Sequence, residues 1–337
     1  MRVARLHAVG DVRLSEEPSP AAADGESLVR VGAVGLCGTD LHWFNQGGVG
    51  DAVITRPLVP GHEIAGIALS GQHEGRLVAV DPAIPCGHCP LCLEGHRNLC
   101  PTGTFSGHGS LDGGLREVMA WPTHLLHPLP DTMTAADGAV LEPLGVALHA
   151  WDLSHAALGS TVAVVGCGPI GLLLVQVALA GGAGRVIAVD PLPHRRDAAV
   201  RDGAEVALTV EQAADPTVWA ELVGLGCGVS FEVTGNDGGI ELALLAARHG
   251  ARVVLIGIPD DDRSGFPAGL TRRKGLTLVL VRRMKEMYDR TVALVEAGDV
   301  DVRSIVSETF PLARTAEAFT AAAARGGLKV VIAPNQD

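Results

Sequence analysis

Between residues 156 and 184 not one charged side chain occurs, and no other stretch limits the possible folds of this chain so sharply. Its length alone would suffice to cross a lipid bilayer. Gly166, Gly168, Pro169 and Gly171 interrupt its middle, however, and charged residues resume on both sides. A buried strand, a glycine turn and a buried helix satisfy the pattern better than a membrane span. Thr161-Val-Ala-Val-Val extends, Gly166-Cys-Gly-Pro-Ile-Gly turns, and Ile170 to Ala180 coils. Strands and helices then alternate. Arg185-Val-Ile-Ala-Val ends at Asp190, and Arg195 to Arg201 reads as helix. Val229-Ser-Phe-Glu-Val is a strand and Ile240 to His249 a helix, with further strands at Ala251 to Ile256 and Leu276 to Val281. Apolar strands separated by helices require a parallel, doubly wound α/β sheet covered on both faces, here expected over residues 149–285.

Residues 1–148 have a different texture. Short apolar runs lie between turn signals such as Pro57, Pro60-Gly61 and Asp112-Gly-Gly, which predicts a β-rich domain. Residues 286–337 complete it with a helix from Tyr288 to Ala297, a strand around Ser304 to Thr309, a helix from Thr315 to Ala324 and a last strand at Lys329-Val-Val-Ile. A length of 337 residues suits two such domains. With 47% hydrophobic and 19% charged residues, the chain can bury a core. Its net charge of −12 argues against nucleic acid and anionic membrane as partners, since both need a basic surface. Met1-Arg-Val-Ala-Arg-Leu-His-Ala-Val alternates like a first strand and lacks the apolar core of an export signal, so a cytoplasmic location is expected.

An odd count of seven cysteines in such a chain argues against a disulfide framework. Four of them, Cys86, Cys89, Cys92 and Cys100, form C-x-x-C-x-x-C-x7-C, with Pro85, Gly87 and Pro90 favouring tight turns between them. Structural zinc takes four thiolates in a tetrahedron, and four closed ligands leave no catalytic position. Iron–sulfur clusters use similar spacings, and Pro101 directly after Cys100 leaves that alternative open on spacing alone.

A second donor set is scattered. The segment from Gly35 to His42 holds Cys37, Thr39, Asp40 and His42; Gly61-His-Glu holds His62 and Glu63; Leu141-Glu-Pro-Leu holds Glu142. Each is weak alone: a lone cysteine is usually a core thiol, and a glutamate before proline suits a helix start. His62-Glu63 lacks the second histidine of the H-E-x-x-H protease helix. Together they offer a thiolate, an imidazole and carboxylates, the donors of an open catalytic zinc.

The turn Gly166, Cys167, Gly168, Pro169, Ile170, Gly171 reads G-x-G-x-x-G, a weak signal in a chain with 43 glycines. Its context strengthens it, because a strand precedes it, a helix follows, and Asp190 ends the next strand where a Rossmann dinucleotide fingerprint has its acidic residue. The glycines let backbone approach a pyrophosphate at the positive helix end. Asp190 would accept ribose hydroxyls and repel a 2′-phosphate, which favours NAD over NADP. Arg195 and Arg196 stand nearby and could neutralise such a phosphate, or they are a solvated helix face.

In their order along the chain these five motifs resemble the zinc-containing medium-chain dehydrogenase/reductase family, and within it the sorbitol and L-idonate dehydrogenase branch. The resemblance covers nearly the whole sequence. It implies a GroES-like catalytic domain beside the Rossmann domain, with two zinc ions per chain. It implies Cys37 and His62 as catalytic zinc ligands, Glu63 as a third, and Glu142 as a fourth or as the holder of zinc-bound water. The carboxylate at Glu142, where simple alcohol dehydrogenases carry cysteine, implies a polyol or sugar-acid substrate that gives hydride to NAD. Thr39 would take the hydroxyl proton and pass it through the nicotinamide ribose to His42, unless the two merely cap a helix. Trp43 and Arg283 would touch substrate, although Met284 stands where polyol enzymes often carry an aromatic residue. Homodimers or homotetramers are expected. Two other functions fit the same residues: a threonine-type amino-alcohol dehydrogenase, and a non-catalytic nucleotide-binding protein on the same fold.

Overall fold

The computed structural model describes residues 1–50, 52–109, 111–261 and 263–336. They form two compact units. One comprises Met1–Glu142, Lys285–Glu296 and the chain from Val302 onward; the other comprises Pro143–Met284 and Ala297–Asp301.

In the second unit six strands lie parallel in the order Val206–Leu208, Arg185–Val189, Thr161–Val165, Cys227–Glu232, Ala247–Leu255, Thr277–Leu280. The central strands are runs of Val, Ile and Ala buried on both faces, as a sheet covered by helices demands. Strand order reverses at Thr161–Val165, so the glycine turn that follows sits at the switch point where this architecture takes its ligands. The expected helix from Ile240 to His249 ends early. It spans Asp237–Ala246, and Ala247, Arg248 and His249 belong to the strand Ala247–Leu255. The cause is Lys274, whose ammonium donates to the carbonyls of Leu244, Leu245 and Ala247 at 3.0, 2.8 and 2.7 Å. A side chain thus satisfies the helix-end acceptors and frees the chain to extend. Arg303–Ile305 likewise form a 3-10 turn, so the expected strand around Ser304 begins only at Val306.

The first unit is built, among the described residues, on a seven-stranded sheet. Its order is Leu126–Pro128, Leu77–Val80, Glu63–Ala68, Glu26–Gly35, Lys329–Ala333, Val306–Pro311, with Val118–Pro122 also pairing to Glu26–Gly35. Val29, Val31, Ile64, Val78, Met119, Trp121 and Phe319 fill the core against it. The four-cysteine segment leaves this unit as a loop closed by the paired strands Ala83–Ile84 and Thr104–Phe105.

Several helices were not foreseen, among them Val210–Ala214, Pro216–Val223 and Ala268–Lys274, and one more carries a site residue. Ala135–Ser154 is nearly all apolar and buried, so it lacks the amphipathic stripe by which sequence betrays a helix. Thr134 and Asp137 exchange hydrogen bonds at its start. Pro143 lies inside it rather than near its beginning, so Glu142 projects from mid-helix. Among the described residues no helix is long and apolar enough to cross a membrane.

Candidate metal centres and cofactor turn

The four cysteines of the loop bring their sulfurs within 4.8 Å of one another. Cys86 and Cys92 Sγ are 4.0 Å apart, and a tetrahedron of zinc–thiolate bonds needs about 3.8 Å. The backbone is already wrapped for thiolates. Cys86 N–H points at Cys100 Sγ, Cys89 N–H at Cys86 Sγ, and Cys92 N–H at Cys89 Sγ, at 3.3 to 3.5 Å. Donors from the backbone at His88 and Cys89 pull the Cys86 thiol down to about 5, while burial and the neighbouring sulfurs push that of Cys92 up to about 12, so the four sulfurs share charge that a bound cation would neutralise. The loop fits a closed structural metal.

The second group is Cys37, His62 and Glu63, whose donor atoms also lie within 4.8 Å of one another. Each arrives from a different local device. Cys37 is the N-cap of the helix Gly38–Gln46, directly after the strand Glu26–Gly35. His62 follows Gly61, which holds φ +99° while Gly107 and Gly113 pack their backbones against it. Glu63 opens the strand Glu63–Ala68 opposite Gly35. One sulfur, one ring nitrogen and one carboxylate oxygen are the chemistry of an open zinc site.

Asp40 organises the group and was missed as a site residue. Fully buried, it accepts the N–H of Cys37 at 3.0 Å and of Gly61 at 3.1 Å, and its Oδ1 stands 3.6 Å from His62 Nδ1. Burial would raise its carboxyl, yet His62 and the two N–H groups hold it below the usual range. Burial likewise opposes a charge on His62, but Asp40 and Cys37 outweigh it and push the imidazole up. A carboxylate behind a metal-binding histidine is the signal that could have found Asp40 from the sequence. The other unforeseen group, Lys329, is buried and ion-paired to Glu63.

Glu142 lies outside the three-ligand group but close enough to feel it. Burial, with Glu63 adding to it and His62 and Lys329 opposing, raises its carboxyl to about 7. Thr39 sits half-buried in the first turn of the helix, and His42 Nδ1 pairs with Gln46 Oε1 at 3.0 Å. The start of this helix is closed by a reciprocal box, in which the Cys37 side chain accepts the N–H of Asp40 and the Asp40 side chain accepts the N–H of Cys37. Trp43 belongs to a small core with Leu6 and Leu58, its ring edge-on to His108 at 5.3 Å. Its Nε1, buried and without a partner among the described residues, is its one spare hydrogen-bonding atom.

In the second unit Gly166 holds φ +99°, and a Cβ there would come within 2.8 Å of Thr234. A Cβ on Gly171 would strike the carbonyl of Gly166. Pro169 is the first residue of the helix Pro169–Ala180, with Ile170 half-buried behind it. Gly168 faces open space bounded by Arg195. Asp190 is buried, and its two oxygens accept Cys167 N–H at 2.8 Å and Leu192 N–H at 2.9 Å. Arg196 donates to the carbonyls of Asp190 and Pro191, so its head group is folded back on the turn. Arg283 takes a left-handed backbone, φ +55°, and Met284 packs against Gly145.

The family description "Alcohol dehydrogenase GroES-like domain" matches residues 23–131, and "Zinc-binding dehydrogenase" matches residues 169–297. Sorbitol dehydrogenase of Bacillus subtilis (strain 168) is 31% identical, with 100% of this chain and 98% of that protein aligned. The crystal structure of L-idonate 5-dehydrogenase from Escherichia coli superposes with a TM-score of 0.91 at 28% identity, over 99% of this chain and 98% of that one. A protein of Sinorhizobium meliloti described as a zinc-binding dehydrogenase, solved bound to NADP, gives 0.89 at 29% identity over 99% of both chains.

Proposed function

The chain belongs to the zinc-binding alcohol dehydrogenase family, and from that premise we propose that it moves hydride from a secondary hydroxyl of a polyol or sugar acid to NAD. The observation that carries the proposal is the convergence of Cys37, His62 and Glu63, with the buried carboxylate of Glu142 beside them. Zinc held there supplies Lewis acidity toward the substrate hydroxyl, and NAD supplies the hydride acceptor. Cys37, His62 and Glu63 hold the ion, while Asp40 fixes the ring of His62 and the entry of the Cys37 loop. Thr39 receives the hydroxyl proton and His42 hands it to solvent. Glu142, poised near neutrality, orients the hydroxyl or water that occupies the remaining position. Arg283, and Trp43 through its unpartnered Nε1, contact the substrate's other oxygens.

The cofactor rests on Gly166, Gly168, Pro169, Ile170 and Gly171. Asp190 keeps lone pairs for ribose hydroxyls beyond the two N–H groups it accepts. NADP is the second reading, supported by the relative solved with it and by Arg195 at the mouth of the turn. The catalytic domain spans residues 1–148 completed by 286–337, and the cofactor domain residues 149–285. The protein acts in the cytoplasm as a homodimer or homotetramer. The edge strand Thr277–Leu280, with Leu280 exposed, is the element best suited to pair with a second copy.

The deciding experiment is formation of NADH or NADPH on sorbitol, L-idonate, xylitol and threonine, each with and without chelator. The proposal expects chelator-sensitive NADH on at least one polyol or sugar acid. Oxidation of threonine alone would replace it with the amino-alcohol reading, and no reduction of either coenzyme would leave a non-catalytic nucleotide-binding protein.

A further inference from the structure

We propose that Glu232 is a positioning residue for the dinucleotide, folding the turn after its own strand into a floor on which the coenzyme lies. The proposal rests on reading Gly166 to Gly171 as the cofactor turn.

The sheet places Thr161–Val165 between Arg185–Val189 and Cys227–Glu232, and each of these neighbours leads to a buried acid at its carboxyl end. Asp190 follows the first and accepts the N–H of Cys167, inside the glycine turn. Glu232 ends the second. It is 1% exposed, and a carboxylate so enclosed needs donors to answer its charge. Its Oε1 accepts Thr234 N–H at 2.5 Å, the Thr234 hydroxyl at 2.7 Å and Gly235 N–H at 2.7 Å, so one oxygen curls the chain through a turn.

That turn is fitted to its neighbours. Val233 N–H donates to the carbonyl of Val165 at 2.8 Å. Thr234 lays its methyl on the bare face of Gly166, and a Cβ on Gly239 would strike its hydroxyl. Gly235 holds φ +74°, and a Cβ on Gly257 would strike its backbone nitrogen. The carbonyl of Glu232 accepts Ile256 N–H at 2.9 Å, which ties in the next strand as well. Carboxylate and carbonyl of one residue thus hold the turns after three adjacent strands in a single arrangement. With adenosine on the side of Asp190 and pyrophosphate on the glycines, the rest of the dinucleotide has to cross the turn from Val233 to Asn236. Without an acceptor at Glu232, two N–H groups and a hydroxyl lose their partner, and the turn is free to leave Gly166.

The test uses the full-length protein, with coenzyme affinity measured by calorimetry on NADH and NADPH and amide hydrogen exchange followed without coenzyme. Wild type is compared with Glu232→Leu, which removes the acceptor, with Glu232→Gln, which keeps an oxygen without the charge, and with Thr234→Val, which removes one donor at constant shape. Glu232→Leu should weaken coenzyme binding by about tenfold or more, the equivalent of one hydrogen bond to a charged group. Exchange at Thr234 and Gly235 should quicken with it, zinc content should stay at the wild-type level, and the loss should fall on the KM for coenzyme more than on kcat. Glu232→Gln should bring affinity and exchange back toward wild type. Unchanged affinity in Glu232→Leu, or an equal loss in Glu232→Gln, overturns the proposal. Should Glu232→Leu fail to fold, Thr234→Val decides: weaker binding with faster exchange supports the proposal, and no change in either overturns it. A wild-type protein that binds neither NADH nor NADPH overturns the cofactor turn itself, and this inference with it.

Discussion

Asp40 touches neither substrate nor cofactor in this account, yet more depends on it than on most residues near the centre. It accepts backbone N–H groups from both segments that carry ligands and backs the ring of His62. Asp40→Asn should weaken the catalytic metal about 10–100-fold while the four-cysteine site keeps its own. Metal retained per chain against graded chelator measures this, and identical retention would deny Asp40 its role. His42 makes a different prediction. If it carries the proton outward, His42→Ala alters the shape of the pH–rate profile, whereas a profile merely lowered at every pH removes it from the relay. At this scale the sequence revealed ligands through local spacing: Cys37, His62-Glu63 and the four cysteines each sit in a recognisable phrase. It could not reveal Lys329, which lies 266 positions from Glu63 and opens an otherwise ordinary apolar strand.

Among elements, the helices show where periodicity informs and where it fails. Pro169–Ala180 was legible because a strand, a glycine turn and a proline announced its start. Ala135–Ser154 was not, since a helix buried all round carries no stripe. The helix Asp237–Ala246 was placed three residues too far along the chain, because the lysine that ends it lies some thirty residues on. That termination is testable. Lys274→Met strips the donor from three carbonyls and should cost about 1–3 kcal/mol in urea unfolding; a neutral effect would return the helix end to local sequence. The start of Ala135–Ser154 gives a pH-dependent case. Arg303 donates to Asp137 at 2.8 and 3.1 Å. Burial pushes that carboxyl up, but Arg303 and Thr134 N–H prevail and hold it below its ordinary value. A depressed carboxylate contributes stability above its unfolded pKa, and that contribution disappears as pH falls through the folded one. Arg303→Ala should therefore move the acid-unfolding midpoint to higher pH, and an unmoved midpoint would show the pair to be inert.

At the scale of the whole molecule, both candidate metal centres are assembled within the first unit, and the glycine turn lies in the second. The alternation of strands and helices made the second unit readable from composition and period alone. The first was readable mainly through its donor residues, because short strands between turns leave little periodic signal. Two metal sites of unlike chemistry also give the molecule an internal control. A site closed by four thiolates should hold its ion while an open site of one thiolate, one imidazole and one carboxylate gives its ion up. The direct measurement is zinc per chain by atomic emission, taken alongside the rate of coenzyme reduction as chelator strips the protein. The account predicts that activity falls in step with the loss of one of two zinc ions and returns when zinc is restored. Full activity after that ion has gone would contradict it.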